Sequence, residues 1–89
     1  MRAVITVIGK DTVGILAQVA GLCAQHKANV IEVTQSVLQD LFAMIMLVDI
    51  SALDVPFDRF VADTQQLGEV MGLSVHAMHE DIFQSMHRI

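Results

Sequence analysis

Between Gly9 and Leu16 the chain reads Gly-Lys-Asp-Thr-Val-Gly-Ile-Leu, residue types that suit the capture of a small anion. An apolar strand pattern stops at Gly9 and a helical pattern starts at Ile15, so the segment is a loop aimed at a helix N-terminus. Amide N–H groups there have no intrahelical acceptor, and the aligned peptide dipoles add partial positive charge. A carboxylate such as that of an amino acid can dock on such an end. Gly9 and Gly14 let the backbone take positive φ and approach a ligand closely. Asp11 and Thr12 suit capping of the helix, with or without a further contact to a ligand. Asn29, near the next helix-to-strand turn, suits that turn equally well, since asparagine tolerates left-handed backbone.

Other chemistries lack their parts. No nucleophile stands with a base, and no phosphate loop, paired carboxylates or metal cluster occurs with workable spacing. Ser36, Ser51, Ser74 and Ser85 lie in no nucleophile elbow. His76 and His79 are three apart on a strand pattern and so face opposite ways, while His26 and His87 lack a third ligand. His26, near a helix C-terminus, has a favourable dipole there. Neither a catalytic residue, a metal site nor a cofactor is expected, and the chain reads as a non-enzyme.

The elements that must position the loop follow from periodicity. Arg2 to Ile8 alternates, with Ala3, Ile5 and Val7 opposed to Val4, Thr6 and Ile8. Ile15, Leu16, Val19, Leu22, Cys23 and His26 recur at helical spacing, giving a first helix that ends near Lys27. Val30 to Leu38 predicts a half-solvated edge strand, with Ile31, Val33 and Val37 on one face and Glu32, Thr34 and Ser36 on the other. Gln39 and Asp40 make a short hairpin into Leu41 to Ile50, apolar on both faces and hence a central strand that something must cover. Asp54 and Pro56 signal a second helix, continued by Phe57, Phe60, Val61, Thr64, Leu67 and Val70 and stopped by Gly72. Leu73 to His79 alternates again, and Ile82, Phe83 and Met86 share a stripe of a last helix folded back on the body.

This order is the split β-α-β, ferredoxin-like βαββαβ plan of the α+β class. Right-handed crossovers give sheet order 4-1-3-2 with both main helices on one face. The other face would expose apolar side chains, so a homodimer is expected. The six methionines read as adaptable core and interface filler. All 89 residues are expected to form one domain, with 80–89 as a helical extension. No apolar run approaches the roughly 20 residues needed to span a bilayer, and no signal peptide is evident, so a cytoplasmic location without membrane association is expected. The lone cysteine, Cys23, reads as a core thiol. A net charge of −5 with scattered basic residues argues against direct nucleic-acid binding.

The loop Gly9–Leu16, the helix after it, and Asn29-Val30-Ile31-Glu32 together resemble the ACT domain, a small regulatory module that binds amino acids. The resemblance spans nearly the whole chain. Through Ile82-Phe83-Gln84-Ser85-Met86-His87-Arg88-Ile89 it is closest to the short stand-alone ACT proteins, a group of uncharacterised function, and more distantly it is similar to the glycine cleavage system transcriptional repressor. The resemblance implies a ligand site, often at a dimer interface, at Asp11, Thr12, Val13, Gly14, Ile15 and Leu16 and at Asn29, Val30 and Ile31. Amides near Gly14 and Ile15 would receive a carboxylate, and Asp11 with the Asn29 side-chain carbonyl would accept from an ammonium. Thr12-Val13 stands where many members have Arg-Pro.

The expected function is thus a stand-alone regulatory module that binds an amino acid or similar small molecule and signals through a protein partner. The alternative is an interaction subunit with no ligand. An acylphosphatase-type enzyme on this plan would need an arginine near the first loop, where only Lys10 stands. An RNA-binding version would need aromatics on the central strands, which offer only Phe42.

Overall fold

The computed structural model describes residues 1–10 and 13–86. Its elements run β1 (Arg2–Lys10), α1 (Ile15–Gln25), β2 (Asn29–Leu38), β3 (Leu41–Asp49), α2 (Phe57–Met71), β4 (Ser74–His79) and α3 (Glu80–Met86). The four strands form one antiparallel-paired sheet of order β2-β3-β1-β4, the ferredoxin-like arrangement that the alternating patterns predict. The core fills the space between one face of this sheet and α1 and α2. Ala3, Ile5 and Val7 of β1 and Met44, Met46 and Val48 of β3 meet Val19 and Cys23 of α1 and Phe60 of α2.

Several boundaries differ from the sequence reading for identifiable reasons. β1 continues to Lys10, because Gly9 and Lys10 still pair with Phe42 and Leu41. α1 stops at Gln25, since Lys27 takes a left-handed φ of 62° and a helix cannot pass through it. Asp54 does not cap α2, whose N-cap is Pro56 and which has no side-chain cap among the described residues; the Asp54 carboxylate instead reaches His26. Val70, expected on the apolar stripe of α2, is exposed, and Gly68 takes the buried position on that face. Gly72 closes α2 with φ 72°, as its position predicts.

The largest correction is in β2. Val30 pairs with Val48 but Glu32 pairs with Leu47, so Ile31 is the extra residue of a β-bulge. Val30 and Val33, three residues apart, cannot both face the core of a regular strand; the bulge lets both pack there. Ile31 is consequently half-exposed and does not share the face of Val33. At the hairpin, Gln39 adopts φ 59°, which fits the tight two-residue connection between Leu38 and Leu41.

Phe42, Met44, Met46 and Val48 of β3 are buried against the helices, whereas Ile45 on the opposite face remains 42% exposed. α3 covers only part of that second face. It is fastened by a bidentate ion pair in which Arg2 donates from Nε to Glu80 Oε1 at 3.0 Å and from Nη2 to Oε2 at 2.6 Å. Val4, on the same face as Arg2, is buried in consequence. Residues 87–89 of the expected last helix lie outside the described residues. No helix among the described residues is long and apolar enough to cross a membrane.

Candidate functional site

The loop between β1 and α1 leaves the sheet at Lys10, opposite Leu41. Asp11 and Thr12 lie outside the described residues. Val13 is fully exposed, and Gly14 adopts φ 86° and ψ 12° as the N-cap of α1. That left-handed conformation is why a glycine stands there. The Gly14 carbonyl accepts from the Gln18 N–H at 3.0 Å, which starts the helix. Ile15 then anchors the first turn in the core while Leu16 stays partly exposed. No acidic residue occupies that turn, and no side chain among the described residues caps it. The amides at the start of α1 have no acceptor within the helix and carry its positive field.

Asn29 opens β2 and is exposed; Val30 is half-buried against the core and Ile31 protrudes at the bulge. Asn29 is paired in register with Asp49, which also pairs with Arg2 at the start of β1. The Ser51 backbone N–H donates to Asp49 Oδ1 at 2.9 Å and holds that carboxyl below its usual range, helped by the Ser51 hydroxyl and the charge of Arg2.

These pairings locate the two halves of the predicted site. Gly14 lies beyond the Lys10 end of the sheet and Asn29 lies at the Asp49 end. α1 runs between them, and its 11 residues at about 1.5 Å each set a separation of about 16 Å. Within one chain, the start of α1 and the start of β2 thus do not converge on one small ligand. A strand-helix-strand unit always puts the loop after its first strand and the start of its second at opposite ends, which spacing along a sequence does not display.

The structure also gathers residues that the sequence reading kept apart. His26, expected on the apolar stripe of α1, lies with Nε2 2.9 Å from Asp63 Oδ2 and Nδ1 3.4 Å from Asp54 Oδ1. Its ring meets Phe60 edge-on at 6.0 Å, and Arg59 donates to the other Asp63 oxygen at 3.3 Å. This cluster ties α1 to α2, and no motif announces it because its members come from three segments. His76 and His79 do face opposite ways: His76 meets the Ser74 hydroxyl on one face, and His79 stacks on Phe57 at 4.1 Å on the other. Among the described residues no group of three or more histidine, cysteine, aspartate or glutamate side chains could hold a metal ion.

A family model for the ACT domain matches residues 2–77. The chain belongs to the ACT domain family. Such domains are typically regulatory modules that bind small ligands, and they commonly bind amino acids and dimerise. This ACT chain is 47% identical over 88 residues to a UPF0237 protein of Methanopyrus kandleri, covering 99% of this chain and 98% of that one. It is 43% identical to a UPF0237 protein of Clostridium acetobutylicum over the full length of both. Among solved structures it superposes on an ACT domain protein from Streptococcus pneumoniae with TM-score 0.81 and 31% identity, over 94% of each chain. A glycine cleavage system transcriptional repressor structure matches with TM-score 0.70 and 25% identity, over 86% of this chain and 44% of that one. A formyltetrahydrofolate deformylase from Pseudomonas syringae shares the fold at TM-score 0.78 and 21% identity, with 27% of its chain covered.

Proposed function

We propose that this ACT chain is a stand-alone, non-enzymatic regulatory module that binds an amino acid or similar small zwitterion between two copies of itself and passes the signal to a protein partner. The observation that carries the reading is the start of α1 behind Gly14, with no acid in its first turn and no side-chain cap among the described residues. Its carboxylate-binding capacity follows from the helix end alone. The ammonium requires acceptors, and Asn29 stands about 16 Å away in the same chain. A two-fold axis that sets one sheet antiparallel to the other, edge β2 to edge β2, inverts the ends. The loop of one copy then faces the β2 start of its partner, and Asp11 to Leu16 with Asn29 to Ile31 form a site that is complete only in the dimer.

The exposed edge β2 and the partly uncovered apolar sheet face support dimerisation. The same apolar face favours the second reading, an interaction subunit without a ligand. A thermal-shift series across the amino acids separates them, since a ligand at 100 times its Kd stabilises the folded state by about 2.7 kcal/mol. Saturable stabilisation by at least one amino acid, abolished in Asp11→Ala and Asn29→Ala, is the expected result. No shift with any of them leaves the interaction subunit.

A further inference from the structure

The open face of the sheet carries a trough roofed by α3, separate from the loop site and from the end of β2 that bears Asn29. Two adjoining hollows of about 220 and 520 Å³ share Ile45 on the floor and Phe83 on the roof. At the end over β2 stand Glu32 and Thr34, with Gln84 of α3 above them. The other end runs over Ile8, Met78 and Met86 and is apolar apart from Thr6 and His76. The two acids of the trough differ in state. Glu80 gives both carboxylate oxygens to Arg2, whereas the Glu32 side chain has no ion-pair or hydrogen-bond partner among the described residues. No lysine or arginine is among the described residues that line the trough. Glu32 and Thr34, two residues apart in the regular part of β2 beyond the bulge, share this face.

We propose that this trough binds amphipathic primary amines, with the ammonium at Glu32 and the hydrocarbon body along Ile45 and Phe83. An ammonium has three N–H donors and no acceptor, and the β2 end offers three acceptors of matching kind: the Glu32 carboxylate, the Thr34 hydroxyl and the Gln84 amide oxygen. Among the described residues that line the trough, a carboxylate head meets no lysine or arginine to receive it, and Glu32 repels it. The net charge of −5 favours the approach of cations in general. The paired hollows fall within the size of ordinary small-molecule sites.

Titration of the full chain with hexylamine, hexanol and hexanoate, followed by amide NMR shifts, tests the assignment. Hexylamine is expected to give saturable shifts at Glu32, Thr34, Ile45 and Phe83, with hexanol and hexanoate binding at least about tenfold more weakly. Glu32→Gln, at an exposed position, is expected to keep the native spectrum and weaken hexylamine by about tenfold. Equal binding of the amine and the alcohol, shifts confined to Gly14–Leu16 or Asn29, or undiminished binding to Glu32→Gln would each overturn it. Amino acids added to the same samples read the loop site separately, so failure at one site is not failure at the other.

Discussion

Cys23 packs on the core side of α1 with no exposed surface, and burial pushes its thiol up from 9.0 to about 11. Below 9.0 the thiol is protonated whether the chain is folded or unfolded, and it biases neither state. Between 9.0 and about 11 the unfolded chain ionises first, so stability should fall as pH rises through that window. Urea midpoints at several pH values check this: the decline should be steeper in the wild type than in Cys23→Ala. Two glycines in helices should respond oppositely to alanine. A Cβ on Gly68 would lie 2.8 Å from both the Leu73 carbonyl oxygen and Val75 Cγ2, so Gly68→Ala should destabilise by about 1–3 kcal/mol. A Cβ on Gly21 meets nothing within 4 Å, and Gly21→Ala should stabilise α1 by about 0.5–1 kcal/mol. Equilibrium unfolding of both variants decides the signs. At this scale the sequence reading reached Cys23 as a core thiol and Gly72 as a helix stop, because one residue type determines each. It could not reach the pairing of His26 with Asp63, which depends on how two helices meet.

Alternation carried β1 and β4, because burying one face of a sheet imposes a period of two, whereas β3 was legible as an unbroken apolar run. It failed where the backbone itself breaks the period. The bulge at Ile31 moves one residue out of register, and only the pairing of Val30 with Val48 and Glu32 with Leu47 reveals it. The last helix was legible as an apolar stripe, but its fastening was not, since Arg2 and Glu80 lie 78 residues apart. That ion pair sits partly exposed, with side-chain accessibilities of 47% and 21%, so its net contribution should be modest, under about 1 kcal/mol. Its effect should be local. Arg2→Ala is expected to speed hydrogen exchange of the α3 amides several-fold while leaving those of β1 and β3 protected. Unchanged exchange in α3 would mean that Phe83 alone holds the helix on the sheet.

The molecule as a whole has a sheet covered by helices on one side and only partly covered on the other, with Ile8 and Ile45 each near half-exposed there. Together with the free edge of β2, this predicts a reversible dimer at micromolar concentration, to be read by sedimentation velocity; a stable monomer would remove the assembly on which the proposed ligand site depends. The candidate site was half legible. Its loop and strand segments follow from the resemblance and from the glycine at the start of α1, whereas their placement at opposite ends of the sheet emerges only from the strand pairing. The most direct test mixes two defective chains, Asp11→Ala and Asn29→Ala, in the presence of the amino acid that most stabilises the wild type. If each site joins the loop of one copy to the β2 start of the other, either variant alone should fail to bind. Random exchange of subunits should then restore about a quarter of the sites, measured by calorimetric stoichiometry. Recovery of no binding in the mixture, with dimers formed, would contradict a site shared between two copies.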